Sequence, residues 1–213
     1  MHLIKKITAA SLVMYFSSSY AATPIDGLYY SGFGGASIQP GNVDVTYNNA
    51  YINQVRYNTG YDAGGNLGYK SAFFRYEAEV TYFNTPVKKM AVNNVIDYYP
   101  QGYNQGTLAF INLLYDFPYQ ATRLIQPFIG GGIGYAWIHN NFLNSDNFKF
   151  DANNYAFTYQ GIAGLSYHFA ENYSVFFAYR YAATTHLDSL GNIFQTNMLN
   201  GGATYRFDSC EYK

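Results

Sequence analysis

The sequence predicts an all-β chain, an eight-stranded antiparallel up-and-down transmembrane β-barrel over residues 22–207. Three observations predict it. Apolar and polar side chains alternate in eight segments, with the period of a strand, whose successive side chains point to opposite faces. The apolar face of those segments is heavy in Tyr and Phe, which number 25 and 17 in 213 residues, as an interfacial aromatic girdle requires. The connections alternate between long and short, the asymmetry of a barrel with surface loops at one end and tight turns at the other.

Residues 1–21 are predicted to be a secretory signal peptide. Lys5 and Lys6 give the positive start and residues 7–16 the apolar run, while Ser19 and Ala21 supply small residues for cleavage before Ala22. The run is too short for a membrane helix, which needs about 20 residues, and no Cys closely follows it to carry a lipid anchor. Cleavage leaves ten Lys and Arg against 13 Asp and Glu. Only 12% of residues are charged, against about 25% in an average chain. The aromatic richness excludes a disordered chain. The single Cys excludes a disulfide scaffold. The absence of a basic balance argues against nucleic acid as a partner. The mean hydropathy of −0.18 suits a soluble protein, and the periodicity overrides it.

The segments follow in order. Residues 27–38 and 60–69 are the weakest, Gly-rich runs. Residues 73–83 are the clearest: Phe74, Tyr76, Ala78, Val80 and Tyr82 share one face, and Arg75, Glu77, Glu79 and Thr81 share the other. In 109–117, Ile111, Leu113, Tyr115 and Phe117 oppose Asn112 and Asp116. In 128–138, Ile129, Ile133, Tyr135 and Trp137 oppose Gly130, Gly132, Gly134 and Ala136. In 155–169, Phe157, Tyr159, Leu165, Tyr167 and Phe169 oppose Thr158, Gln160, Ser166 and His168. In 173–184, Val175, Phe177, Tyr179 and Tyr181 oppose Ser174, Arg180 and Thr184. In 197–207, Leu199, Ala203, Tyr205 and Phe207 oppose Asn200, Thr204 and Arg206. The long loops are expected at 39–59, 84–105, 139–154 and 185–194, and the shorter connections at 70–72, 118–124 and 170–172, with 208–213 as a tail. A soluble β-sandwich would also show short alternating strands. It does not account for aromatic strand ends on one face together with a polar, Gly-rich opposite face.

An eight-stranded lumen is just wide enough to be filled by side chains. Arg75, Glu77, Glu79, Asp116, His168, Arg180 and Arg206 all fall on the inward face. Both signs are present, so a charged, hydrogen-bonded plug is expected rather than an open channel. Gly130, Gly132 and Gly134 face inward and leave room for large neighbours. A phosphate-cradling glycine loop would need a helix after it, and a strand follows.

These residues resemble a known group. Residues 27–32 (GLYYSG), 74–80 (FRYEAEV), 127–135 (PFIGGGIGY), 157–167 (FTYQGIAGLSY) and 177–181 (FAYRY) look like strands of the rickettsial-type major surface antigen family. Opacity-type adhesins and the OmpA-type transmembrane domain share that barrel plan. The resemblance covers nearly all of the chain after residue 21. It implies a surface antigen in the outer membrane of a Gram-negative bacterium, with adhesin or small-porin activity and no cofactor. The partners it implies are outer-membrane lipids and lipopolysaccharide, the barrel-assembly machinery, and host or matrix ligands held by the loops.

Within the loops, Tyr47, Tyr51, Tyr57, Tyr98, Tyr99 and Tyr103 stand among many Asn as candidate contacts. A lipid-modifying enzyme would need a nucleophile, a base and an orienting acid in reach. Ser166, His168 and Glu171 fall at the turn end, and His186, Asp188 and Ser189 are merely close in sequence. No enzyme is expected. His139, His168 and His186 are too far apart in sequence for a zinc site, Asp146 and Asp151 lack a calcium-loop spacing, and Cys210 is a tail thiol. The functions weighed are a surface antigen or adhesin, a small diffusion pore, a purely structural envelope protein and, last, an enzyme.

Overall fold

The computed structural model describes residues 25–41, 45–47, 50–118, 125–143, 149–187 and 192–207. The predicted signal peptide, the tail and Cys210 lie outside the described residues. The strands, in chain order, are β1 (Gly27–Ile38), β2 (Val45–Tyr47), β3 (Ala50–Tyr57), β4 (Gly60–Ser71), β5 (Phe74–Val92), β6 (Val95–Asp97), β7 (Gln101–Asp116), β8 (Ile125–Leu143), β9 (Lys149–His168), β10 (Tyr173–Leu187) and β11 (Asn192–Arg206).

Eight of them close a ring in the order β1, β4, β5, β7, β8, β9, β10, β11. The seam is the antiparallel pairing of β1 with β11, from Tyr29 opposite Arg206 to Ile38 opposite Asn197. Closure leaves the ring without an edge, the condition for a sheet to stand in lipid. β2, β3 and β6 stand outside the ring: β3 pairs with the far half of β5, β2 with β3, and β6 with the end of β5.

The apolar face predicted for each segment is the outer face. Leu67, Val80, Ile111, Ile129, Leu165 and Phe177 are exposed there between two aromatic zones. Toward the short turns Tyr173 meets Tyr205 at 4.9 Å, Phe74 meets Tyr115 at 5.5 Å and Tyr30 meets Phe207 at 5.8 Å. Toward the long loops Tyr61 meets Tyr82 at 6.4 Å and Tyr135 meets Phe157 at 6.1 Å. From Phe74 to Tyr82 the chain climbs about 20 Å at a strand's rise and a barrel's tilt, close to the apolar band of an outer membrane.

The loop expectations need correction. β5 continues to Val92, β7 begins at Gln101, β8 reaches Leu143, β9 begins at Lys149, and β3 occupies much of 39–59. Beyond the second aromatic zone the alternation inverts. Phe83, Val87, Leu108, Ile138, Phe142, Phe150 and Phe194 are buried inward, while Asn84, Lys88, Gln105, His139 and Asn153 lie on the outer face. Above the membrane the outer face meets water and the lumen becomes the apolar side. A rule that places apolar residues outward therefore ends each strand too early. The expected loop also hides a hairpin: Asn93 and Asn94 have φ of 50° and 65° between the paired Val92 and Val95, the left-handed pair that a two-residue turn demands and Asn tolerates.

Candidate functional site

The lumen is filled in two storeys. The lower one, toward the short turns, is charged. Arg75 Nε donates to Asp116 Oδ1 at 2.9 Å, and Lys70 Nζ donates to Asp116 Oδ2 at 3.2 Å. Glu77 accepts from the Tyr29 hydroxyl at 2.6 Å, from Asn66 Nδ2 at 3.1 Å and from Arg75 Nη1 at 3.4 Å. Glu79 accepts from Arg180 Nη1 at 2.5 Å, from the Thr81 hydroxyl at 2.8 Å and from Asn112 Nδ2 at 2.7 Å. Gln160 Nε2 joins Asn112 Oδ1 at 2.8 Å. Asn200 Nδ2 donates to Asp62 in the same layer. Asp116, Glu77 and Glu79 thus each have at least two donors, which is what makes a charge tolerable away from water.

Aromatic rings sit beneath the guanidiniums. The Arg180 group lies 4.0 Å from the centroid of Phe33 and that of Arg75 lies 4.5 Å from Phe128, contacts worth about 2 kcal/mol each when desolvated. Phe128 and Phe33 both meet Phe176 edge-on at 6.5 Å. Glycines on the neighbouring strands make this filling fit. A Cβ on Gly68 would lie 2.4 Å from the Tyr29 ring, one on Gly64 2.6 Å from Phe33, and one on Gly164 2.4 Å from Phe128. The space left among Ser31, Asn66, Arg75, Glu77 and Arg180 is about 10 Å³, room for no more than one water.

The upper storey is built on apolar stacks, with a few buried polar groups among them: Ser37 lies 3.0 Å from Thr196, and Asn104 donates to Gln39 at 3.0 Å. Phe83 stacks on Phe194 at 5.1 Å and Phe142 on Phe150 at 5.5 Å. Leu108, Phe110, Ile138 and Met198 complete the layer, and Ile52 and Val55 of β3 close it from the side with Met90 of β5.

All seven inward residues singled out in the sequence are buried. Arg75, Glu77 and Asp116 form one cluster and Glu79 with Arg180 a second. Arg206 donates to the Ser174 hydroxyl at 3.0 Å, and His168 Nε2 lies 3.0 Å from Gln126 Oε1. Sequence reasoning passed over Tyr29, Asp62, Asn66 and Lys70. Lys70 falls in an expected turn, although one more step of the alternation past Tyr69 puts it inward. Tyr29 reads as one more lipid-facing aromatic until its register is known.

The loop tyrosines are divided. Tyr51, Tyr98 and Tyr99 are exposed, Tyr99 at 87%. Tyr103 lies beside the His139 ring at 6.2 Å. Tyr57 turns toward the lumen and meets Phe142 at 6.2 Å, and burial pushes its hydroxyl above the usual tyrosine pKa. The side chain of Tyr47 lies outside the described residues. Ser166 and His168 are buried in the lumen, Glu171 is exposed in the turn after β9, and Asp188, Ser189 and the His186 side chain lie outside the described residues. Among the described residues no three of His, Cys, Asp and Glu gather into a metal-binding group.

A protein-family model described as surface antigen matches residues 105–199. No curated protein sequence matches the chain. Among the solved structures that are similar, two are covered over nearly their whole length. Neisserial surface protein A has a TM-score of 0.58 at 16% identity, covering 85% of this chain and 97% of its own. The outer membrane protein OprG from Pseudomonas aeruginosa has a TM-score of 0.52 at 14% identity, covering 87% and 99%. The fold is that of the small outer-membrane β-barrels. The surface-antigen match runs from the upper part of β7 to the middle of β11, so it takes in the wall that carries Asn112, Gln160 and Arg180.

Proposed function

We propose that this chain is a surface protein of a Gram-negative outer membrane, exported by a signal peptide over residues 1–21. In this reading the closed barrel is a rigid anchor, and recognition lies on the strands and loops that stand above the membrane. The filling of the lumen by two storeys, with room for no more than one water among the charges, supports an anchor rather than a pore. The elements outside the ring support a recognition surface. Arg56 of β3 is the direct cross-strand partner of Lys89 of β5, with Lys88 next to it. Like charges placed opposite one another destabilise a sheet. None of the three forms an ion pair among the described residues. Lys89 lies 5.9 Å from the centroid of the exposed Tyr98 ring. A cationic, aromatic surface of this kind fits an anionic host or matrix ligand.

The deciding experiment is single-channel recording of residues 22–213 in planar bilayers, with folding checked by heat-dependent gel mobility. Silence is expected. Steady, discrete openings would replace this reading with a small diffusion pore.

A further inference from the structure

Where the alternation inverts, the outer wall carries two parallel rows of side chains across four strands. The lower row is Tyr82, Thr107, Trp137 and Tyr155, each the direct cross-strand partner of the next. The upper row is Asn84, Gln105, His139 and Asn153, paired in the same way. Thr107 is the one short side chain among rings, and the gap it leaves is a cavity of about 200 Å³ lined by residues of both rows.

The cavity has an aromatic floor toward the apolar band and an amide and imidazole edge toward the cell exterior. Its polar groups are oriented and partly free. Gln105 Oε1 accepts from the Tyr82 hydroxyl at 2.9 Å and from Asn84 Nδ2 at 3.4 Å, so the Gln105 Nε2 group remains to donate. His139 Nδ1 lies 2.8 Å from Asn153 Oδ1, which leaves His139 Nε2 and Asn153 Nδ2. The Trp137 indole N–H, the Thr107 hydroxyl and the Tyr155 hydroxyl have no partner among the described residues. No Lys or Arg lines the cavity. Above it on β9, Lys149 is held by Asp151 at 3.2 Å, and on β5 Lys88 stands four residues beyond Asn84.

We infer that this cavity binds the sugar headgroup of an outer-leaflet glycolipid, with the acyl chains lying down the wall over Val80, Ala109 and Ile133. A sugar presents an apolar C–H face to the rings and hydroxyls to the amides. The lining is uncharged, so the cavity takes the ring and hydroxyls of a sugar, which a phospholipid headgroup does not offer, and leaves any phosphate on the glycolipid in the water outside. Amphipathic rings at this level already mark the boundary between acyl chains and headgroups. The inference rests on the proposed outer-membrane location and adds to it a defined site on the wall.

Trp137 is the one Trp in the chain, so its fluorescence reads this cavity directly. The processed chain, folded in detergent micelles, is titrated with purified lipopolysaccharide. A saturable shift in Trp137 emission is expected, with none from phosphatidylglycerol or a soluble monosaccharide at the same concentration. Thr107→Phe, which fills the gap, should abolish the shift. Gln105→Ala with Asn153→Ala, which leaves the gap open, should raise the midpoint at least tenfold. No shift with lipopolysaccharide, an equal shift with phosphatidylglycerol, an equal response to the free sugar, or an unaltered response in both variants would overturn the inference. Heat-dependent gel mobility on the same micelles reports the barrel separately, so an unresponsive but folded barrel counts against the glycolipid site alone.

Discussion

Gly132 and Asn112 are direct partners across β8 and β7, and a Cβ on Gly132 would lie 1.9 Å from Asn112 Oδ1. That oxygen accepts from Gln160, and the Asn112 amide donates to Glu79. The missing side chain of one residue therefore sets the position of the hydrogen bonds around a buried carboxylate. Gly132→Val should displace Asn112 and destabilise the folded barrel by about 1–3 kcal/mol, the usual cost of overpacking. Urea unfolding in bilayers followed by gel mobility reads this, and a Gly131→Val control on the outer face, where a Cβ would come no nearer than 3.2 Å to a neighbour, should cost less.

Glu79 and Arg180 form a buried ion pair at 2.5 Å. Removing one partner of such a pair leaves an uncompensated charge and costs about 3–5 kcal/mol. Arg180→Met should be destabilising by that amount. Joining it to Glu79→Gln should recover much of the loss, because the remaining charge has gone. A double-mutant cycle in urea measures the coupling, and strictly additive losses would count against a paired charge.

Glu77→Gln with Glu79→Gln should lower stability and leave the bilayer silent, since the stacked Phe83–Phe194 and Phe142–Phe150 pairs still fill the upper storey. Phe142→Ala should likewise cost about 3–5 kcal/mol and remain silent, since the charged storey below is intact. A large conductance from either variant would show that a single layer blocks the lumen.

Reversing the charges in Lys88→Glu with Lys89→Glu should remove binding to an anionic matrix such as a sulfated glycan, and Tyr98→Ala with Tyr99→Ala should weaken it severalfold. The tyrosine pair should change unfolding by no more than about 0.5 kcal/mol, as is usual for exposed positions, and the charge reversal, which sets Glu opposite Arg56, should be neutral or stabilise by up to about 1 kcal/mol. Surface plasmon resonance on an immobilised glycan compares them, and binding unchanged in both would move recognition to another part of the rim.

Ala72 holds a left-handed φ of 51° in the turn between β4 and β5, where Asp26 accepts from its N–H at 2.9 Å. A residue with a Cβ is strained there. Ala72→Gly should therefore be neutral or stabilise by up to about 1 kcal/mol in urea unfolding, while Asp26→Ala should destabilise the turn.

Period two settled the fold class from the sequence, because a strand in lipid must put apolar groups on one side at every second residue. It placed Arg75, Glu77, Glu79, Asp116, His168, Arg180 and Arg206 on the inward face. It was blind beyond Tyr82, Thr107, Trp137 and Tyr155. There the solvent outside changes from lipid to water, and the same alternation carries the opposite meaning. Only the tertiary structure decided which inward charges meet. Pairs such as Glu79 with Arg180, 101 residues apart, depend on ring closure and register. Strand pairing and register likewise brought Tyr29 to Glu77, turned Tyr57 inward, and lined up Thr107 with Trp137 around a gap on the outer wall. Periodicity is local to one strand and survives in one dimension. Register, closure and the fit of a ring over a glycine are relations between strands, and they exist only once the sheet has closed.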